Sequence, residues 1–135
     1  MRTGKCQCGE IRYKTVGEPL QLYICHCREC QKQSASAFGI SFKVPRLGFT
    51  ITQGTPHYWT RETGSGRKLK CAFCPTCGTR LWHEFDPISE SISIKGGSLD
   101  EPVDVGNAIH IWVSRKLPGI VIPNNAQQFP EEPLN

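Results

Sequence analysis

Eight cysteines in 135 residues constrain this chain more than any other feature of its sequence. They fall into three groups: Cys6 and Cys8; Cys25, Cys27 and Cys30; and Cys71, Cys74 and Cys77. The central group places three cysteines within residues 25–30, at C-x-C-x-x-C spacing. Short loops bring such thiolates to one point, and zinc prefers a cluster of soft thiolates. The spacing therefore predicts metal binding, with the rest of the chain as its scaffold.

Length and composition indicate a single domain in a reducing compartment. We expect residues 1–135 to form one domain with an irregular tail over residues 123–135. Residues 1–6 contain no apolar signal segment, and no apolar run approaches the ~20 residues of a membrane span. The expected location is therefore cytoplasmic, where cysteines more often bind metal than form disulfides.

Short segments with alternating polar and apolar residues predict a mainly β fold. The predicted strands cover residues 11–16, 20–24, 38–44, 49–52, 57–60, 69–73, 80–85, 91–95 and 108–113. A single helix of one or two turns is predicted over residues 28–36, directly after the central cysteines. Strands of this length and spacing are typical of an all-β sandwich or barrel.

Cys74 and Cys77 carry a second metal signal, because C-x-x-C followed by Gly78 predicts a thiolate-binding turn. Backbone N–H groups in such a turn stabilise the first thiolate, and the glycine can adopt the positive φ that closes it. A closed four-thiolate zinc site needs two more ligands. Two other pairs can supply them: Cys6 with Cys8, or Cys25 with Cys27.

Four motifs occur in an order that resembles one enzyme family. They are G-x-C-x-C-G at residues 4–9, C-H-C-x-x-C-Q-K at 25–32, F-C-x-x-C-G-T at 73–79 and S-L-D-E-P at 98–102. In these motifs the chain is similar to the glutathione-dependent formaldehyde-activating enzyme family, which includes the centromere protein V type. The resemblance spans roughly residues 4–115.

This resemblance implies a fold, a reaction and two metal sites. The implied fold is a zinc-bound β-sandwich, Mss4-like, with its core at about residues 4–115. The implied activity joins glutathione and formaldehyde to S-hydroxymethylglutathione, a carbon–sulfur lyase reaction in reverse. The family's structural zinc site matches four residues here: Cys6, Cys8, Cys74 and Cys77. Its catalytic site, whose zinc we expect to be the more labile, matches Cys25, Cys27 and Cys30, whereas Cys71 matches no ligand.

The chemistry of the central cysteines leads to the same reaction. Three thiolates leave one position of a tetrahedral zinc open, and a thiol bound there would lose its proton. The resulting thiolate is a nucleophile for an aldehyde carbonyl. Because the site and a glutathione-like ligand are both anionic, we expect cations around it. The candidates are Arg28, Lys32, Lys43, Arg61, Arg67 and Lys68.

Histidines and tryptophans receive a mainly structural interpretation. His26 lies in an extended segment and should point away from Cys25 and Cys27. The other histidines lie in predicted strands, at positions 57, 83 and 110. The tryptophans at positions 59, 82 and 112 should fill the core or its rim.

A second class of function stays open, a zinc-stabilised module that binds nucleic acid or protein without chemistry. A net charge of +4 and a pI of about 8.7 favour it weakly. A redox thiol protein is disfavoured, because metal would occupy the thiols. The open three-thiolate site favours the enzyme, with a small thiol such as glutathione and an aldehyde as partners and no membrane partner.

Overall fold

Two β-sheets form the framework of the chain in the computed structural model, which describes residues 1–133. The strands are β1 (Arg2–Lys5), β2 (Arg12–Thr15), β3 (Gln21–Cys25), β4 (Gly39–Pro45), β5 (Phe49–Gln53), β6 (His57–Glu62), β7 (Lys68–Phe73), β8 (Arg80–Asp86), β9 (Ser91–Lys95) and β10 (Ile109–Ile111). The α-helix α1 covers Arg28–Ser34. Short 3-10 turns lie at Arg46–Gly48, Gly96–Ser98 and Val113–Arg115.

The strands pair into a small sheet and a large one. The small sheet has the order β1-β2-β5, and the large one has the order β10-β3-β4-β9-β8-β7-β6. All neighbours are antiparallel except β10 and β3, which run parallel. The mainly β prediction and its sandwich-like arrangement are confirmed, with 41% of residues in strands. The predicted helix ends slightly earlier than expected, since Ala35 closes it in the left-handed region with a φ of 51°.

Aromatic rings from both sheets form the centre of the core. Tyr13 and Phe49 of the small sheet stack with centroids 5.4 Å apart. Trp82 of the large sheet meets their edges, at 6.0 Å from Tyr13 and 4.8 Å from Phe49. Gly4 is required beside this cluster, because a Cβ there would lie 2.2 Å from the Tyr13 ring. The tryptophan prediction is therefore right for Trp82, whereas the Trp59 side chain is half exposed.

The predicted irregular tail lies along β10 as far as the structure describes it. The N–H of His110 donates to the carbonyl of Gln127 at 2.9 Å, and the N–H of Phe129 donates to the carbonyl of His110 at 2.9 Å. These backbone hydrogen bonds hold the tail against the edge strand of the large sheet. The last part of the predicted tail, Leu134 and Asn135, lies outside the described residues. No helix within residues 1–133 is long and apolar enough to span a membrane.

Candidate metal centres and active site

The first cysteine cluster joins two turns that lie far apart in sequence. Its members are Cys6, Cys8, Cys74 and Cys77, whose sulfurs all lie within 4.8 Å of one another. The Sγ atoms of Cys6 and Cys8 are 3.6 Å apart, and those of Cys8 and Cys74 are 3.8 Å apart. The sequence left two pairs open as partners of the C-x-x-C turn, and the structure brings Cys6 and Cys8 to it.

Backbone hydrogen bonds shape both turns around their sulfurs. The N–H of Gly78 donates to the carbonyl of Cys74 at 2.8 Å, and Gly78 has the positive φ, 81°, that was expected. Gly9 has a φ of 79° in the matching turn. The N–H of Ile11 donates to the Sγ of Cys6 at 3.3 Å. Each turn thus presents its sulfurs from a fixed backbone.

Thr79 connects the two turns and stabilises a thiolate. Its hydroxyl oxygen accepts the N–H of Gln7 at 3.0 Å and lies 3.2 Å from the Sγ of Cys77. The hydroxyl, followed by the N–H of Thr79, lowers the pKa of the Cys77 thiol to about 5. Cys77 is therefore prepared to bind a cation at neutral pH.

The geometry of this cluster fits a tetrahedral zinc ion. Zn–S bonds of about 2.3 Å in a tetrahedron place the sulfurs about 3.8 Å apart. The observed separations of 3.6 and 3.8 Å match that requirement. Cys6 and Cys74 are buried within the hydrophobic core, at 1% and 0% exposure, so a metal held here would be part of the core packing.

The second cluster forms where β3 passes into α1. Cys25 ends the strand, Cys27 is the N-cap residue of the helix and Cys30 lies in the first turn. The Sγ of Cys27 accepts the N–H of Cys30 at 3.3 Å, and the three sulfurs lie within 4.8 Å of one another. Within residues 1–133, no histidine or carboxylate joins them as a fourth ligand.

Cys27 is the most acidic thiol of the second cluster. The thiol of Cys25, followed by that of Cys30, donates to Cys27 and lowers the pKa of its thiol, and the N–H groups of Cys30 and Glu29 add to the effect. The same sharing raises the pKa of Cys25. A three-thiolate set of this kind is compatible with zinc and leaves one coordination position open.

His26 points away from the sulfurs, as predicted. It is fully buried, and its Nε2 lies 2.9 Å from the Nδ1 of His110. Gln31 secures the same loop, since its Nε2 donates to the carbonyls of His26 and Arg115 at 2.8 and 2.9 Å. The loop that carries Cys25 and Cys27 is therefore fixed from its buried side.

Gly39 faces the second cluster from β4, where it pairs with Cys25. A Cβ at this position would lie 2.8 Å from the Nε2 of Gln33, and 3.2 Å from the Cβ and 3.4 Å from the Sγ of Cys30. We expect Gly39→Ala to displace that sulfur and to weaken metal binding at the second cluster roughly tenfold. Cobalt titration, followed by thiolate absorption, measures this affinity. Gly97→Ala is the control, because nothing lies within 4 Å of its added Cβ; equal affinity in the two variants would contradict the expectation.

A cavity of about 460 Å³ opens beside the second cluster and has a cationic wall. Its cations are Lys43, Arg61, Arg67 and Lys95, against two carboxylates, Glu84 and Glu132. Glu84 is already paired with Arg46 at 3.3 Å. Three of the predicted cations thus lie in the wall, whereas Arg28, Lys32 and Lys68 do not. The cavity has the volume and charge to admit a small anionic molecule.

Lys95 and His83 were not predicted for the site. The Nζ of Lys95 lies 2.7 Å from the Nδ1 of His83, and both side chains line the cavity. The signal in the sequence is the alternation of β9, where Ser91, Ser93 and Lys95 share the cavity face while Ile92 and Ile94 are buried. Because alternate residues of a strand point to the same face, small polar residues two and four positions before a lysine indicate a cavity wall of this kind.

Cys71 belongs to neither cluster. It is buried in β7, at 2% exposure, and lies opposite His83 in the neighbouring strand. It lines a smaller cavity of about 240 Å³, which Cys30 also borders. Its position agrees with an unligated thiol and makes it a suitable control in cysteine substitutions.

Comparisons with known proteins bear on the fold and on the family of this chain. No curated protein matches the sequence. A crystal structure of a Rhodobacter sphaeroides protein has the same fold, with a TM-score of 0.60 and 21% identity, covering 80% of this chain and 98% of that one. The sequence also matches the family described as glutathione-dependent formaldehyde-activating enzyme over residues 1–115. The chain therefore belongs to the glutathione-dependent formaldehyde-activating enzyme family.

Proposed function

We propose that this protein is a zinc-dependent enzyme of the carbon–sulfur lyase type, which joins a small anionic thiol such as glutathione to an aldehyde such as formaldehyde. One observation carries the proposal: three cysteine sulfurs within 4.8 Å of one another open onto a cationic cavity. Family membership supports the same chemistry. The product with glutathione and formaldehyde is S-hydroxymethylglutathione.

The two clusters have different parts in this proposal. Four sulfurs, two of them within the core, would hold a structural zinc that supports the fold. Cys25, Cys27 and Cys30 would hold the second zinc. When bound there, that ion supplies an open coordination position and lowers the pKa of a thiol that occupies it. The residues around it have to bind and orient the rest of the substrate.

Arginine side chains are the best placed groups to bind the carboxylates of the thiol. The guanidinium of Arg67 lies over the ring of Phe85, 3.8 Å from its centroid, which holds its planar donors in one orientation. Arg61 lines the same cavity from the neighbouring strand β6. No carboxylate of residues 1–133 forms an ion pair with either one. Their donors are therefore available for carboxylates of the ligand.

Thiols of different charge test this assignment. We expect glutathione to bind the zinc-loaded protein and to release about one proton, and 2-mercaptoethanol, which lacks carboxylates, to bind at least about tenfold more weakly. Calorimetry in buffers of different ionisation enthalpy measures both the affinity and the proton release. Arg67→Met should remove much of the preference for glutathione. A protein that binds both thiols equally would contradict the role of the cations.

Turnover requires its own measurement, because thiols add to formaldehyde without a catalyst. We expect the zinc-loaded protein to accelerate exchange between glutathione and S-hydroxymethylglutathione, as followed by NMR exchange spectroscopy. Absence of acceleration would overturn the enzyme proposal, even if the thiol binds. The non-catalytic zinc module would then be the better interpretation.

A further inference from the structure

We propose that Lys95 is a catalytic residue that donates to the aldehyde oxygen as the carbon–sulfur bond forms, and that His83 is the residue that positions it. This inference rests on the function proposed above and assigns the second half of the reaction to named groups. The cysteine cluster accounts for the sulfur nucleophile, whereas three thiolates bound to a metal ion have no proton to donate to oxygen.

Lys95 and the second cluster line the same cavity. Lys95 is the last residue of β9 and lines the 460 Å³ cavity together with Cys25, Cys27 and Cys30. It also lines the smaller cavity that borders Cys30 and Cys71. An aldehyde brought to a thiol at the cluster would therefore be within the region that the Lys95 side chain can reach.

The hydrogen bonding of Lys95 leaves donors free for a ligand. An ammonium group has three N–H donors. Within residues 1–133, its one hydrogen-bond partner is the Nδ1 of His83 at 2.7 Å, and no carboxylate pairs with it. A half-buried cation without a carboxylate partner is uncommon, because its desolvation is then offset only in part. Two donors thus remain to interact with oxygen in the cavity.

The charges around Lys95 are consistent with a cation that faces sulfur. The pKa of Lys95 is lowered by burial, and the nearby sulfurs of Cys30 and Cys71 offset only part of that effect. Burial also holds the pKa of His83 well below its usual range, and the Lys95 charge adds to this effect. His83 is thus neutral, and its Nδ1 accepts a hydrogen bond from the lysine.

The sheet fixes His83 in this position. The register of the sheet pairs His83 with Ser93 of β9 and with Cys71 of β7, so strands on both sides hold the His83 backbone. An acceptor placed in this way limits the lysine to the conformations that reach His83. Orientation of a flexible four-carbon side chain before the reaction reduces the entropy lost in the transition state.

The proposed step balances without an oxidant or a reductant. The thiolate sulfur attacks the carbonyl carbon, the S–C bond forms, and the electron pair of the C=O π bond moves to oxygen. Lys95 stabilises that oxygen by a hydrogen bond and transfers a proton to it, which gives the hydroxymethyl thioether. The amine then takes a proton from water, which replaces the one that the thiol released on binding.

Lys95→Met tests this role, since it retains the length of the side chain without charge or donors. We expect its turnover number for glutathione and formaldehyde to fall about 100-fold, with the dissociation constant of glutathione within about threefold of wild type. Lys95→Arg, which keeps the charge and the donors, should recover part of the rate. Exchange spectroscopy gives the rates, and calorimetry gives the affinity.

A matched pair at position 83 tests the positioning role without altering the lysine. Asn places an acceptor oxygen close to where His83 has Nδ1, whereas Leu has none. We expect His83→Leu to lose about tenfold in turnover number and His83→Asn to retain most of the wild-type rate. Zinc content and thiol affinity should be equal in the two variants.

The possible outcomes separate this inference from the function on which it rests. If wild type does not accelerate exchange, the proposed function fails. If wild type is active and Lys95→Met keeps a turnover number within about threefold, only the role of Lys95 fails. If Lys95→Met loses thiol affinity while its turnover number is unchanged, the lysine balances charge and does not act on oxygen, which also overturns the inference.

Discussion

Replacement of Cys27 by Ser is expected to abolish thiol binding and carbon–sulfur turnover while the fold is retained. Cys27 is the most acidic thiol of the second cluster, and its loss leaves two thiolates where three are needed to hold the ion. We expect the affinity for glutathione to fall at least about 100-fold. Calorimetry and exchange spectroscopy measure the two losses.

The local structure explains why Cys27→Ser should remove a metal ligand without disturbing the helix. Cys27 is the N-cap residue of α1, and its sulfur accepts the N–H of Cys30. Serine is among the best N-cap residues, so the helix should still begin at the same position. Cys71→Ala is the control, because Cys71 is a thiol that lies in neither cluster, although it is more deeply buried than Cys27. Glutathione binding by Cys27→Ser at wild-type affinity would contradict the assignment of this site.

Cys74→Ser is expected to have the opposite profile, with a large loss of stability. A structural zinc contributes about 10–16 kcal/mol in small zinc-binding peptides, where it is the main source of stability. Here the core supplies part of the stability, but Cys74 is fully buried within that core. We expect the melting temperature to fall by more than about 15 °C, together with the loss of one zinc ion per chain.

Calorimetric scanning and metal analysis of the same samples check this result. Cys71→Ala should lose only about 1 kcal/mol, since it removes one buried sulfur and no ligand. If Cys74→Ser retained its zinc and its melting temperature, the first cluster would not be a structural metal site.

Most of the strands could be predicted from local sequence patterns, because the alternation of polar and apolar residues lies within each strand. β9 is an example, where Ser-Ile-Ser-Ile-Lys has one buried face wherever it lies in the sheet. β1 was not predicted, because Arg2–Lys5 has a single buried residue, Gly4, which carries no hydrophobic signal. That strand is formed by its pairing with β2 rather than by its own composition.

The parts of the site that depend on local contacts could be predicted from the sequence, whereas the parts that depend on long-range contacts could not. The second cluster lies within six residues, so its spacing alone was sufficient to group the sulfurs. The pairing of the first cluster depends on how β1 and β2 pack near β7 and β8, and the residues alone left it open. The Lys95–His83 contact depends on the register of β8 against β9, which alternation within each strand does not specify.

Under the proposed function, the tail against β10 has a consequence for how substrate range diverges. Glu132 lines the cavity beside the second cluster and accepts a hydrogen bond from the Nε1 of Trp112 at 2.7 Å, although the family match ends at residue 115. Backbone hydrogen bonds hold this segment, and it contributes no cysteine to either cluster. Mutations there can alter the size and charge of the substrate space while every metal ligand is kept. Substrate range can therefore evolve on the tail faster than the chemistry at the sulfurs.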